Sequence, residues 1–302
     1  MQKILLTGAS GFLGGIIYNH LKNDLNIDVI TLGRDASNDI VQDISDKGFT
    51  LPAVKTVIHA AGKAHTVPKT AEEAKMFMDV NLEGTKNLCK AIEKLSTLPS
   101  NFIFISTVAV YGVDKGEMIN EEAPLNGKSP YAISKIEAED FLTKWASLNK
   151  VNLSILRLPL VAGPNAPGNL GAMINGIKTG RYISIRNISA HKSMVWAHDV
   201  AKLIPQLDAN IGAVNLTDGY NPTFSELELV IVKKLNRNKP ISIPYFVAKI
   251  LGKTGDLIGG KFPVNSDKIN KITSTLTFDD TKLRKLGIWN PSNVLDQLSK
   301  FI

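Results

Sequence analysis

Cysteine is nearly missing from this chain: Cys89 is the only one among 302 residues. A lone thiol excludes an intrachain disulfide and a multi-cysteine metal site, and it points to a reducing compartment. It lies in Asn87-Leu88-Cys89-Lys90-Ala91, a helical pattern that predicts a small buried thiol rather than a nucleophile. Long apolar runs are missing too. No stretch reaches the ~18 residues a membrane span needs, and the first apolar run, Ile4-Leu5-Leu6, is too short for a secretory signal. The expectation is a soluble cytoplasmic protein with no membrane span. Blocks of like charge are equally absent. Thirty-five Lys and Arg against 28 Asp and Glu leave +7, which favours anionic ligands such as phosphates. The basic residues are scattered without an aromatic stripe, so no nucleic-acid partner is expected. The five histidines have no metal-ligand spacing with carboxylates, so no metal is expected.

What is present is a globular composition, 44% hydrophobic and 21% charged, enough for one large domain or a domain plus a lobe. Short apolar runs alternate with longer helical patterns through the first half, which is the signature of an α/β protein with a parallel sheet. Strands are expected at 3–7, 28–32, 57–59, 101–106 and 153–158, and helices at 12–22, about 71–94 and 130–148. Ser129 stands as N-cap of the last helix, with Pro130 at its first position. After Pro159 the turn-rich stretch Ala162-Gly163-Pro164-Asn165-Ala166-Pro167-Gly168-Asn169 marks a boundary. Beyond it come helices near 170–178 and 197–207, a strand at 213–216, and then two helical patterns. The second of these, at 245–260, interleaves Phe246, Val247, Ile250, Leu251, Leu257 and Ile258 with Lys249 and Lys253. It fits a membrane-surface helix, but a core-facing helix of a small lobe is the expectation taken here.

Thr7-Gly8-Ala9-Ser10-Gly11-Phe12-Leu13-Gly14 lies where the first strand hands over to the first helix. Glycines allow a tight turn and close approach to a pyrophosphate, and the helix start offers unpaired N–H groups. Gly8, Ser10, Gly11, Phe12, Leu13 and Gly14 are therefore candidate cofactor contacts. At the end of the second strand, where an acid usually meets the adenosine ribose, the chain reads Leu32-Gly33-Arg34-Asp35. Arg34 is a fixed cation suited to a 2′-phosphate, which tilts the expectation to NADP over NAD. Asp43 and Ile44 follow after a short gap, at a spacing that suits the adenine edge. Tyr131 and Lys135 stand one helical turn apart. A cation beside a phenol favours the phenolate and brings the group towards the working range of an acid/base.

Several motifs occur in order: Thr7–Gly14, His59-Ala60-Ala61-Gly62, Val80-Asn81-Leu82-Glu83-Gly84-Thr85, Ser106-Thr107 before Val110-Tyr111-Gly112, Ser129-Pro130-Tyr131 with Lys135, and Arg157-Leu158-Pro159. Together they resemble the extended short-chain dehydrogenase/reductase superfamily, in its nucleotide-sugar epimerase and dehydratase branch. The likeness is dense over residues 1 to about 200, and Phe278 to Gly287 looks like the usual closing segment.

The resemblance implies a Rossmann-type doubly wound parallel sheet with a smaller C-terminal substrate-binding lobe. Residues 1–165 plus about 194–218 would bind NAD(P), and about 166–193 plus 219–302 would form the lobe. It implies Tyr131 as acid/base, Lys135 on the nicotinamide ribose, and Thr107 on the reacting oxygen. Ala60, Ala61, Gly62, Asn81, Ser106 and Leu158 join the cofactor contacts. Thr107, Val108, Asn165, Asn169, Met173 and Lys192 are expected at the substrate, with Lys63 and His65 able to project into the cleft. Lys192 stands where relatives carry a diphosphate-binding Arg, keeping charge but losing the bidentate fork.

Dehydratases of the family carry an Asp-Glu pair after the strand-end Thr. Here Val108-Ala109 stands there, and neither side chain can move a proton. The remaining chemistries act at C4 of a UDP- or dTDP-linked sugar: a 4-keto reductase, which Arg34 favours, or a 4-epimerase. A non-sugar carbonyl reductase and a non-catalytic member of the same fold are the outside alternatives. A homodimer through the helices at 71–94 and 130–148 is the family expectation.

Overall fold

The computed structural model describes residues 1–64, 66–258 and 265–302. The chain opens with β1 (Gln2–Thr7), α1 (Phe12–Leu21), β2 (Ile27–Gly33), β3 (Ile40–Val41) and β4 (Thr56–His59). Next come α2 (Ala71–Met78), α3 (Gly84–Ile92), β5 (Asn101–Thr107), β6 (Gly116–Ile119), α4 (Pro130–Asn149) and β7 (Asn152–Leu158). The following part contains β8 (Leu160–Ala162), α5 (Gly168–Lys178), β9 (Ile183–Ile185), β10 (Met194–Trp196), α6 (Ala197–Leu203) and β11 (Gly212–Asn215). The rest holds α7 (Phe224–Lys234), β12 (Ile241–Ile243), α8 (Tyr245–Ile258), α9 (Ser266–Thr273), β13 (Leu276–Phe278), α10 (Thr281–Arg284) and α11 (Val294–Phe301).

Seven strands form one parallel sheet in the order β11-β7-β5-β4-β1-β2-β3. The α/β fold with a Rossmann-type sheet is thus as the sequence predicts. Its strands are buried on both sides because alternate residues feed two cores. Leu5, Val57, Phe102, Phe104 and Ile155 pack with Leu88, Leu142 and Trp145 on one face. Ile4, Leu6, Ile58, Ile103 and Leu156 pack with Ile17, Val200 and Val214 on the other. The chain leaves β1 towards β2 on one side and returns to β4 on the other. The strand order therefore reverses between β1 and β4, which opens a crevice beyond their carboxyl ends.

Three local expectations change. The single helix expected at 71–94 is interrupted by a π-type turn at Asp79–Glu83. From the start of α3 the Thr85 hydroxyl donates back to the Asn81 carbonyl at 2.6 Å, and such wide turns cluster at functional positions. The region beyond residue 218 carries five helices among the described residues, not two, because the helices there are short. Lastly, α8 turns most of its large apolar residues outward, leaving Val247 and Leu251 half-buried. Ala248, Gly252 and Gly255 are buried, while Phe246, Ile250, Leu257 and Ile258 are exposed, so the core-facing expectation fails. Asp199 accepts the Ser292 N–H at 2.8 Å and so ties α6 to the C-terminal segment. Cys89 is buried, and burial holds its thiol well above the usual range.

Candidate active site

The crevice between β1 and β4 is shaped by glycine. Gly8 has φ +78°, and a Cβ there would stand 2.6 Å from the Ala61 nitrogen. One on Gly14 would stand 2.0 Å from the Gly8 carbonyl oxygen. Any side chain at either position collides with backbone, so the loop lies directly against Ala60-Ala61. Gly11, in extended geometry at φ −79°, caps α1 without a side chain to occupy its first amides. A narrow backbone cradle at a helix start fits a dinucleotide diphosphate. Gly8, Ser10, Gly11, Phe12, Leu13 and Gly14 would hold it. Phe12 also packs against Gly163, whose Cβ would meet the ring at 3.0 Å, so the loop touches the turn-rich stretch after β7.

His59, fully buried at the end of β4, braces this cradle. The single proton of the Thr85 hydroxyl goes to the Asn81 carbonyl. The imidazole Nε2–H must therefore donate to Thr85 Oγ1, at 2.9 Å. Nδ1 then accepts from the Thr7 hydroxyl at 2.7 Å, while Thr7 Oγ1 accepts the Ala61 N–H at 3.1 Å. This one tautomer satisfies every group. The ring stays neutral: burial, followed by the Lys135 cation, holds its pKa down at about 3. An unfolded chain binds a proton at the ordinary value near 6.5, so stability from this site is complete above about 6.5 and is lost as pH falls towards about 3. The melting temperature should accordingly drop on acidification through that window, and less steeply for His59→Gln. Parallel curves for the two proteins would show that His59 contributes nothing.

The inner face of α4 carries the remaining groups. Ser129 caps it as the sequence predicts, accepting the Ala132 N–H at 3.1 Å. Tyr131 stands beside Thr107 at the end of β5. Burial pushes the phenol above its ordinary value, with Thr107 working against the rise. The acidification expected from Lys135 is not found in the protein alone, where burial and Thr107 set the phenol's shift. Lys135 Nζ instead donates to the Ile105 carbonyl at 2.8 Å and sits 4.3 Å over the Phe104 ring. Burial lowers its pKa to about 8, opposed by the Glu139 carboxylate, so it is charged at neutral pH. A Cβ on Gly62 would stand 3.4 Å from that Nζ, which joins the β4 loop to α4.

Two residues the sequence reading passed over support this face. The Ser134 hydroxyl donates to the Tyr131 carbonyl at 2.8 Å and accepts from Asn81 Nδ2 at 2.9 Å. Asn81 also grips the Lys63 backbone at both its N–H and its carbonyl, so its side chain is spent on holding the β4 loop. Glu139, one turn beyond Lys135, takes Arg157 Nη2 at 2.7 Å and Nε at 3.1 Å, and also receives the Ser106 hydroxyl. The Ser106 side chain is therefore turned to Glu139, leaving its backbone for the crevice. Arg157 donates onward to the Tyr111 hydroxyl at 3.1 Å, which donates to Asn215 at 2.7 Å. The spacing of Glu139 from Lys135 was a usable signal; its partner on β7 was not visible in the sequence.

Other predicted residues fall as follows. Leu158 is buried at the end of β7, and Val108 is half-buried beyond β5. Met173 is packed in the apolar cluster with Leu170, Trp196 and Leu227, so its side chain serves that core. Asn165 and Asn169 are exposed. Lys192 is half-buried; burial lowers its pKa to about 8, with Asp114 opposing. The Lys63 ammonium lies 5.6 Å from the Phe77 ring centre, and that ring neighbours Tyr131 at 6.1 Å. His65 lies outside the described residues. Arg34 and Asp43 meet each other at 3.8 Å, on a largely exposed Arg34 side chain, and Ile44 is buried. No group of three metal-ligating side chains occurs among the described residues. No described helix is long and apolar enough to cross a membrane.

Against known proteins, a sequence model of the NAD dependent epimerase/dehydratase family matches residues 4–213. The N-acetyl-alpha-D-glucosaminyl-diphospho-ditrans,octacis-undecaprenol 4-epimerase of Escherichia coli O157:H7 is 28% identical over 321 residues, covering 99% of this chain and 94% of its own. The UDP-glucose 4-epimerase of Vibrio cholerae is 27% identical over 321 residues, covering 98% and 93%. Among solved structures, the UDP-glucuronic acid 4-epimerase of Bacillus cereus in complex with UDP-glucuronic acid and NAD superposes with a TM-score of 0.79. It is 17% identical, and the match covers 98% of this chain and 96% of that one.

Proposed function

We propose that this chain, which belongs to the NAD-dependent epimerase/dehydratase family, is a 4-epimerase of a hexose carried on a diphosphate. The observation that carries the reading is the meeting of Thr107, Tyr131 and Lys135 at the strand ends beside the glycine cradle, with Val108 and Ala109 next to them. Bound in that cradle, a nicotinamide dinucleotide would supply hydride acceptance and return at C4. The chain's own residues do the rest. Tyr131 takes the C4 hydroxyl proton and gives it back, Thr107 holds the same oxygen, and Lys135 supplies a fixed positive charge that favours the phenolate once the site is filled. Val108 and Ala109 leave no acid beside C5 and C6 for eliminating water. The C-terminal lobe, with Lys192 at its edge, would take the diphosphate.

Epimerisation is preferred over net reduction on the surroundings of Arg34. Its guanidinium is paired with the Asp43 carboxylate, which would repel a 2′-phosphate brought to the same cation. NAD, used and regenerated within one cycle, suits that charge pattern. The similarity to two 4-epimerases over nearly the whole chain supports the same choice. Arg34 itself supports the second reading, a reductase using NADPH.

The full chain incubated with UDP-N-acetylglucosamine, UDP-glucose and a polyprenyl-diphosphate N-acetylglucosamine should form the 4-epimer of at least one, read by proton NMR, with no net change in nicotinamide absorbance. Stoichiometric loss of NADPH absorbance with a 4-keto sugar, and no epimer from any of the three, would establish the reductase instead.

A further inference from the structure

Helix α8 has its smallest residues inside and most of its large apolar ones outside, with Val247 and Leu251 half-buried between. At about 100° per residue, Ala248, Gly252 and Gly255 share one narrow face, and these three are its buried positions. A Cβ on Gly252 would stand 3.2 Å from the Ser266 backbone, so α9 packs against bare main chain. Phe246, Ile250 and Leu257 point the opposite way and are 65%, 60% and 89% exposed. A helix that only closed a lobe would show the reverse arrangement. The strand leading into it adds to the surface. Ile241 of β12 is 77% exposed and pairs in register with Ile183 of β9, which is also exposed.

Charge distinguishes the possible occupants. From Leu229 to Ile258 the chain carries Lys233, Lys234, Arg237, Lys239, Lys249 and Lys253 against one acid, Asp256, whose carboxylate accepts the Ser266 N–H at 3.1 Å. Lys249 and Lys253 border the apolar face, with the Lys249 ammonium held 4.9 Å over the Tyr245 ring. A second copy of the chain would set two such basic surfaces against each other. An anionic surface would be drawn to them. Apolar side chains bordered by lysines on long flexible stems match the boundary between acyl chains and phosphate headgroups.

We propose that the outer face of α8 docks on an anionic phospholipid bilayer. Phe246, Ile250 and Leu257 enter the acyl boundary, and Lys249 and Lys253 remain at the headgroups. No described helix can span a membrane, so the attachment is peripheral and reversible. What docking delivers rests on the function proposed above: a diphosphate sugar whose carrier is a lipid is presented at that same surface.

Flotation of the full chain with vesicles of phosphatidylglycerol and phosphatidylcholine in equal parts tests this. The chain should float with them, less at high salt, and not with phosphatidylcholine alone. The Phe246→Ser/Ile250→Ser double variant should lower the partition ~tenfold or more, and Lys249→Gln or Lys253→Gln about fivefold each. Melting temperature and turnover of a soluble UDP-sugar should match the unaltered chain, because none of these residues belongs to the catalytic or binding machinery. No flotation, or equal flotation of the variants, overturns the proposal, as does a sedimentation dimer that the double variant dissolves. Failure to epimerise any of the three diphosphate sugars with flotation intact would overturn the reaction and leave the docking.

Discussion

Tyr131→Phe is expected to lower turnover ~10³-fold while leaving dinucleotide affinity and melting temperature close to those of the unaltered chain. The size follows from removing a positioned proton carrier, which typically supplies about 10² to 10⁴ in rate. The selectivity follows from geometry. The phenol faces Thr107, not the glycine cradle, and Phe keeps the ring packed against Phe77. The direction of the phenol's pKa adds a second readout. Burial holds it high in the protein alone, so turnover should rise with pH across the neutral range, and the residual rate of the Phe variant should lose that slope. Rates within a few-fold of each other, or a retained slope, would place the proton carrier elsewhere.

The second large effect is on stability. Arg157→Ala is expected to cost about 3–5 kcal/mol, because it removes the ion pair of the buried Glu139 carboxylate and leaves it one hydrogen bond, from Ser106, with the Lys135 charge one turn away. For a chain of this size that is a fall in melting temperature on the order of 10 °C. Pairing Arg157→Met with Glu139→Leu should recover most of the loss, since two apolar residues leave no unpaired buried charge. Thermal unfolding of the three variants decides it. An alanine variant as stable as the parent, or a double variant no better than the single, would mean that the pair does not hold α4 to β7. Through Tyr111 and Asn215 the same network reaches the carbonyls of Ile119 and Asp279, so losing it should also loosen the closing segment.

The two halves of the site differ in how far they could be read in advance. The glycine loop, the Ser129 cap and the Tyr131–Lys135 spacing are local, set within one turn or one helical repeat. The His59 relay is not local: it needs Thr7, Ala61, Asn81 and Thr85 to meet across β1, β4 and the π-type turn. Arg34 and Asp43 were assigned separate ligand roles by their positions, yet they contact each other, because β2 and β3 are neighbours in the sheet.

The order of apolar runs by itself determined an α/β chain with a parallel sheet, since periodicity and turn residues act over a few positions. It also determined that a glycine turn would meet a helix start and that a phenol and an ammonium would share a helical face. Tertiary structure decided the rest. Packing against Ser106 and Arg157 made Glu139 the buried counter-ion of α4, and burial, a property of the whole fold, set Tyr131 above and Lys135 below their ordinary pKa values. The same is true of α8. Its amphipathic pattern shows that two faces differ, but only the position of α9 against Gly252 selects which one is covered.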